Sequence, residues 1–387
     1  MAEKIIEENI KKILYISHDS ENSGANRSLL GIIKNLKNRS NLSPLVLVPG
    51  KGSFTEELDK MNVEYLIQKY YGCYYENTIK GWIFDKIKIP LNIYYKFLLY
   101  NKIKNLKIDL IHVNCSVVHN IGSFLKKVKK VPYILHIREY GKEDHNLRYR
   151  ISFKYIVNHI NKNTDEIIFI SKDLSKKFLP FLNRPNINII YNGIDFVEKN
   201  LFNKNYNHYI LKLCVLGTIS EGKNQLEVVK AVEIVLKKYK NLKLYIVGNG
   251  NRKYIQNLEK YIQENHLNDN IIFCKYMKNP MEFLKSIDIG IVPSKREAFG
   301  RVTVEYMLNK IPVIASNTGA NSEIITSYKE GIIYQLGNIN DLVKSIEFLL
   351  IEENRKKLGE NSYKKAIKYF TAEQNENEIY NIYKKYI

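Results

Sequence analysis

A chain of 387 residues exceeds the usual size of one domain, and two domains of about 150 to 200 residues each are expected. Its 45% hydrophobic and 26% charged residues exclude a disordered chain, which would bury too little apolar surface to fold. The formal net charge of +20 points to polyanions, nucleic acid or an anionic membrane, although Lys, Asn, Ile and Tyr are abundant together, as an AT-rich coding sequence would make them.

The stretch from Met1 to Lys12 mixes Lys and Glu and lacks the apolar core and cleavage pattern of a signal peptide, so a cytoplasmic chain is expected. A first strand, Ile13 to Ser17, leads through a polar loop into a helix. Gly24 in that loop would let the backbone approach a ligand closely, and a plain strand-to-helix turn reads the same way. Further apolar runs at Leu45–Val48, Val63–Ile67, Leu110–Asn114, Tyr133–Ile137, Ile167–Ile170 and Ile187–Ile190 alternate with helical patterns and predict an open parallel α/β sheet. Between the third and fourth strands, Lys80 to Lys107 carries seven Lys against one Asp, interleaved with Trp82, Phe84, Tyr94 and Phe97. One side of such a helix suits the sheet, and the basic side suits either solvent or anionic headgroups. At the end of the fifth strand His136 and Arg138 share a face opposite Ile137, which places both to enter a ligand cleft; a buried core histidine is the other reading of His136.

After the polar stretch Asn200–His208 a second series begins: Leu213–Leu216, Leu244–Val247, Ile271–Phe273, Ile289–Val292, Val313–Ala315 and Ile332–Tyr334. It predicts a second doubly wound domain, with the boundary between residues 204 and 205 and a helical tail from Leu342 onward. Ligands of such sheets bind at the carboxyl ends of strands. There Gly217 closes a strand, and Lys223 stands at the mouth of a helix, where two positive charges need an anion such as pyrophosphate between them. Ile289–Val292 runs through Pro293 and Ser294 into Glu297-Ala-Phe-Gly-Arg-Val-Thr-Val-Glu305, which reads as strand, loop, helix. Amides around Phe299 and Gly300 are placed to meet an anion, Glu305 to accept hydrogen bonds from sugar hydroxyls, and Glu297 to reach the same ligand. The spacing alone means little among 40 acidic residues; the context gives it meaning. Cys73, Cys115, Cys214 and Cys274 form no C-x-x-C pair and read as free thiols in a reducing compartment. No run of about 18 uncharged apolar residues is present, so a spanning helix is not expected.

The Glu297 to Glu305 segment resembles the E-x7-E signature of the retaining, nucleotide-sugar-dependent glycosyltransferases of family 4. Val215-Leu-Gly-Thr-Ile-Ser-Glu-Gly-Lys-Asn-Gln225 resembles that family's G-R-x4-K-G element, with Thr218 at the Arg position and Asn224 at the last Gly. The loop at Gly24 is similar to the family's first glycine loop, with Ser23 where a second Gly is frequent. Thr318-Gly-Ala-Asn-Ser-Glu323 is similar to its later one, with Ala320 for Gly. Ile170-Ser-Lys and Tyr191-Asn-Gly-Ile-Asp195 resemble its strand-end Ser and the turn before the interdomain crossing, while a His-Asp pair of many relatives falls on Arg138 and Glu139.

This resemblance implies an α/β protein of GT-B architecture, two Rossmann-like doubly wound domains facing across a cleft. Residues 1–204 would form the acceptor-side domain and 205–367 the nucleotide-sugar-binding domain. Residues 368–387 would cross back to the first, packing Tyr380 and Tyr383 on it. It implies retaining transfer from a UDP- or GDP-linked sugar to a saccharide, lipid-linked or protein-linked acceptor, in surface polysaccharide or glycoconjugate synthesis. Glu297, Lys223, Arg138 and His136 become catalytic candidates. Gly24, Gly217, Thr218, Lys223, Asn224, Phe299, Gly300, Glu305 and Gly319 become donor contacts. Neither a metal nor another cofactor is expected, and a peripheral place at the inner face of a membrane fits the basic segment. Two alternatives stand beside this: a GT-B sugar-nucleotide 2-epimerase, which needs carboxylates and His placed for proton transfer at carbon, and a nonenzymatic nucleic-acid binder, for which no helix-turn-helix, zinc-finger or RNP signature is present.

Overall fold

Each apolar run singled out in the sequence forms a strand, and each of the two series builds one parallel sheet. The computed structural model describes residues 10–196, 204, 206, 208–277 and 280–387. The chain divides into one unit of Met1–Asp195 with Ala372–Ile387 and a second of Phe196–Thr371. The boundary expected at 204/205 falls among residues 197–203, 205 and 207, outside the described residues, as does the mixed Lys and Glu start through residue 9.

In the first unit the strands are β1 (Lys11–Ile16), β2 (Leu42–Val48), β3 (Glu64–Ile67), β4 (Tyr74–Glu76), β5 (Leu110–Val113), β6 (Tyr133–Ile137), β7 (Leu147–Tyr149), β8 (Glu166–Phe169) and β9 (Ile187–Ile189). Seven of them pair in the order β3-β2-β1-β5-β6-β8-β9, every pairing parallel. Helices cover both faces of such a sheet, which is why its central strands are apolar throughout rather than alternating. The helix Gly24–Leu36 packs Leu29, Ile32, Ile33 and Leu36 into the core on one face. The C-terminal helix Ala372–Tyr383 adds Ile379, Ile382 and Tyr383 to that core. A large side chain buried in this way contributes roughly 1.5–3 kcal/mol. Arg39 completes the docking with a bidentate bond to Glu376 at 2.8 and 3.0 Å and a guanidinium 3.7 Å above the Tyr380 ring. The antiparallel pair β4–β7 has no counterpart among the predicted elements, because three-residue strands show no periodicity. It is held by Tyr74 and Tyr149, with ring centroids 4.2 Å apart.

In the second unit β10 (Leu211–Leu216), β11 (Leu242–Val247), β12 (Ile271–Cys274), β13 (Ile289–Val292), β14 (Val313–Ser316) and β15 (Gly331–Tyr334) pair in the order β12-β11-β10-β13-β14-β15, again all parallel. In each sheet the winding reverses beside the first strand, between β1 and β5 and between β10 and β13. That reversal parts the following loops and opens a crevice at the strands' carboxyl ends. No helix among the described residues is long and apolar enough to cross a membrane.

Candidate functional site

In the second unit, the loop after β10 runs from Gly217 to Asn224 before the helix Gln225–Lys238, and the loop after β13 runs to Gly300 before the helix Arg301–Leu308. The two loops face each other across the switch point and are tied by Lys295 N donating to Gly222 O at 2.8 Å. Their side chains meet as well. Lys223 Nζ donates to Glu297 Oε1, which also accepts from Ser294 Oγ at 2.6 Å. Lys223 is 36% exposed and Glu297 15%, so the pair borders the crevice rather than the core. Both of these bonds fall on Oε1.

Glu305 is buried one turn into its helix, and the neighbouring Tyr306 fixes that helix in place. The Tyr306 hydroxyl donates to Cys214 O at 2.9 Å and accepts from Leu216 N at 3.0 Å, so the helix is pinned to the end of β10 just before Gly217. Gly300 caps the helix with φ +95, left-handed backbone that aims the first-turn amides out of its N-terminus. No heavy atom lies within 4 Å of where a side chain on Gly217 would begin, so the loop is open there. The Phe299 ring contributes packing: it is buried edge-on to Phe370, with centroids 5.9 Å apart. A cation, a helix N-terminus and open backbone suit a diphosphate, and carboxylates suit hydroxyls.

The backbone accounts for the sequence's departures from the family pattern. Asn224 occupies left-handed backbone at φ 55, a conformation Asn adopts more readily than other non-glycine residues. Ala320 has φ −78 and Ser23 φ −66, where any residue fits. Gly319 is different: its φ is +59, and a Cβ would stand 2.1 Å from Glu297 O. Ala320 N donates to that same oxygen at 2.9 Å, so this loop supports the backbone of Glu297. Thr218 is exposed, and its carbonyl accepts from Gln225 Nε2 at 3.0 Å.

Sequence reasoning passed over Val247-Gly-Asn-Gly250. This segment braces the Gly217 loop: Gly217 N donates to Val247 O at 2.9 Å, Ile219 N to Asn249 O at 3.0 Å, and Asn251 N to Ile219 O at 2.9 Å. Its G-x-G directly after an apolar strand was the available signal. Ser294, three residues before Glu297, was also legible as a strand-end hydroxyl.

In the first unit Gly24 opens the helix after the β1 loop. Asn26 clamps that loop, accepting from Ser17 Oγ at 2.7 Å and donating to Asp19 Oδ1 at 2.6 Å and Glu21 O at 2.8 Å. Arg138 and His136 are both buried. Arg138 Nε donates to Asn114 O at 3.0 Å and to Asn114 Oδ1 at 2.9 Å, its Nη1 donates to Asn192 Oδ1, and its Nη2 lies 3.1 Å from His136 Nδ1. Burial, with Arg138 and His112 nearby, pushes His136 well below the ordinary imidazole range, so it stays neutral and accepts from Arg138. The structure thus brings Lys223, Glu297, Gly217, Asn224, Gly300, Glu305 and Gly319 into one neighbourhood of the second unit, and Arg138 and His136 into one network of the first. His136 is interior, with its ring turned to Arg138 and His112.

Two family models match the chain, Glycosyltransferase Family 4 over residues 23–198 and Glycosyl transferases group 1 over residues 197–365. An uncharacterized glycosyltransferase of Methanocaldococcus jannaschii is 28% identical over 348 residues, 86% of this chain and 94% of the relative. The capsular polysaccharide biosynthesis glycosyltransferase CapM of Staphylococcus aureus is 24% identical over 254 residues, 61% and 67% of the two chains. Among solved structures, Anabaena HepE in complex with UDP and glucose matches with a TM-score of 0.78 at 18% identity, over 97% of this chain and 99% of that one. A glycosyltransferase from Rickettsia africae matches with a TM-score of 0.80 at 19% identity, over 97% and 98%. At these identities the structural likeness concerns the fold.

Proposed function

This chain belongs to the family 4 glycosyltransferases of GT-B fold, and from that premise we propose that it transfers a sugar, with retention, from a UDP- or GDP-linked donor to an acceptor hydroxyl in cell-surface polysaccharide or glycoconjugate synthesis. The observation that carries the reading is the Lys223–Glu297 pair beside open Gly217 and the N-terminus of the Arg301–Leu308 helix. Lys223 and the helix end meet the diphosphate, Glu305 accepts from the ribose hydroxyls, and Glu297 Oε2 accepts from the donor sugar. The bond from the sugar's anomeric carbon to the diphosphate breaks with its electron pair on the phosphate oxygen. The acceptor oxygen takes its place on the same face, and the hydroxyl proton leaves with the diphosphate.

Lys223 and the helix end stabilise the charge developing on the leaving group without a metal. The family resemblance makes Arg138 and His136 catalytic candidates of the first unit, where both are buried and bonded to each other. CapM, named for capsular polysaccharide biosynthesis, supports the surface-polysaccharide setting, and HepE, captured with UDP and glucose, supports a UDP-linked donor.

The test is a panel of UDP- and GDP-sugars scored by thermal shift, then by nucleotide release with saccharide and lipid-linked acceptors and by the anomeric configuration of the product. Acceptor-dependent release with retained configuration is expected. Inversion would overturn the stereochemical assignment, and conversion of the nucleotide sugar without acceptor would favour the epimerase.

A further inference from the structure

The helix Ile79–Ile103 buries two polar residues, Asp85 and Asn92, besides Leu99 and Ile103, and leaves most of its apolar side chains exposed. Its inward face carries Asp85, whose Oδ1 accepts from Arg150 Nε at 2.6 Å, and Asn92, which bridges Tyr71 N at 3.1 Å and Tyr71 O at 2.9 Å. Its outward ridge is apolar: Ile79 is 81% exposed, Ile83 50%, Ile87 55%, Ile93 70% and Phe97 62%. At about 100° per residue the five positions fall within an arc of about 120°, so they share one side of the helix. A surface helix ordinarily shows the opposite polarity, and a contiguous exposed apolar ridge marks an interaction surface.

The charges select the partner. Asp85, the helix's single acidic residue, is spent on Arg150, so no carboxylate of the helix offsets its five lysines. Lys80 and Lys86 stand exposed beside the ridge, Lys86 with its ammonium 3.8 Å from the Trp82 ring centroid. Arg148 adds a third cation in an open hollow of about 500 Å³ that Trp82 and Tyr75 also line. Of the basic side expected from sequence, Lys96 turns out to be half-buried against Phe124, and Lys102 Nζ donates to Ile67 O at 2.7 Å. Lys88 is half-buried with its ammonium 5.4 Å from the Tyr71 ring centroid, so the exposed ammonium groups beside the ridge are those of Lys80 and Lys86. A second copy of the chain would bring these cations against their own kind. A bilayer with anionic headgroups complements both the ridge and its flanks.

We propose that the helix Ile79–Ile103 docks the protein on an anionic lipid bilayer, with Ile83, Ile87, Ile93 and Phe97 in the headgroup–acyl boundary and Lys80, Lys86 and Arg148 on the phosphates. This stands independently of the donor and stereochemistry proposed above.

Trp82 is the chain's single tryptophan and reports on the surface directly. With the full chain at low salt, cosedimentation with phosphatidylglycerol-containing vesicles and a blue shift of Trp82 emission are expected, both weakened by salt and small with phosphatidylcholine alone. The double variant Ile83→Ser, Phe97→Ser alters exposed side chains and should melt like wild type while partitioning at least tenfold less. Lys80→Glu with Lys86→Glu should lose the preference for anionic vesicles. The proposal is overturned if wild type stays in the supernatant with anionic vesicles, if it binds both lipids equally, or if a concentration-dependent dimer disappears in the Ile83→Ser, Phe97→Ser variant, which would make a second copy the occupant.

Discussion

Lys223 and Glu297, 74 residues apart in sequence, are joined as an ion pair where the loops after β10 and β13 face each other. With Lys223 36% exposed, water screens the attraction and the pair contributes about 0–1 kcal/mol to stability. Its weight falls on the ligand. Lys223→Ala and Glu297→Gln should each lower kcat/KM at least tenfold while the melting temperature moves by a few degrees at most. Because the two groups position one another, the double variant should fall short of the product of the single effects. Steady-state kinetics on the four proteins of the cycle check this, and near wild-type turnover in both single variants would remove the pair from the site.

Gly319 and Ala320 are adjacent and should respond oppositely. Gly319→Ala places a Cβ 2.1 Å from Glu297 O at φ +59, so the loop must shift and take Glu297 with it. Strain of this kind costs on the order of 1–3 kcal/mol, and transfer should drop severalfold or more. Ala320→Gly retains the amide that bonds Glu297 O and has no strain to relieve, so its activity should stay close to wild type. Parallel urea titrations and turnover measurements separate the two; equal tolerance would mean that the glycine loop does not position Glu297.

Both sheets were legible because buried parallel strands are short continuous apolar runs, and residues 213–216, 289–292 and 313–315 carry that signal plainly. The loop residues of the second unit were legible through chemistry that depends on strand-end position, as with Lys223 and Glu297. What stayed hidden depends on partners far away in sequence. Asp85 turns inward because of Arg150, 65 residues on, and that choice decides which side of the long helix faces out. Apolar residues surround that helix, so no periodicity could have given its orientation. The neutral state of His136 likewise follows from its burial, with Arg138 beside it held by Asn114 and Asn192, the latter 54 residues beyond Arg138.

Transfer should survive excess EDTA, because Lys223 and the N-terminus of the Arg301–Leu308 helix supply the positive charge a diphosphate leaving group needs. The rate after chelation should remain within about twofold of the untreated enzyme, whereas removal of a catalytic metal would cost several kcal/mol of barrier. Nucleotide release assayed before and after chelation decides this, and loss of activity restored by Mn²⁺ or Mg²⁺ would assign the charge to a metal instead.

Three histidines in the interior of the first unit set an acid limit on stability. Burial lowers His112 to about 3, with Arg138 adding to the effect, and lowers His119 to about 3, with His159 adding to it. Burial and Arg138 hold His136 well below its ordinary value. In the folded chain all three stay neutral, whereas in the unfolded chain they take up protons near pH 6.5. The unfolded state then binds more protons, so stability present above about pH 6.5 is lost as pH falls toward the folded values. Between pH 7.5 and 5.5 the loss is about 1.4 kcal/mol for each histidine, roughly 4 kcal/mol for the three. His119 offers the clean test, since neither of its ring nitrogens has a hydrogen-bond partner and an aromatic ring can replace it. Between pH 7.5 and 5.5 the urea midpoint should fall less in His119→Phe than in wild type, by the share of one buried imidazole. A wild-type midpoint that does not change across this range would show that these imidazoles titrate alike folded and unfolded.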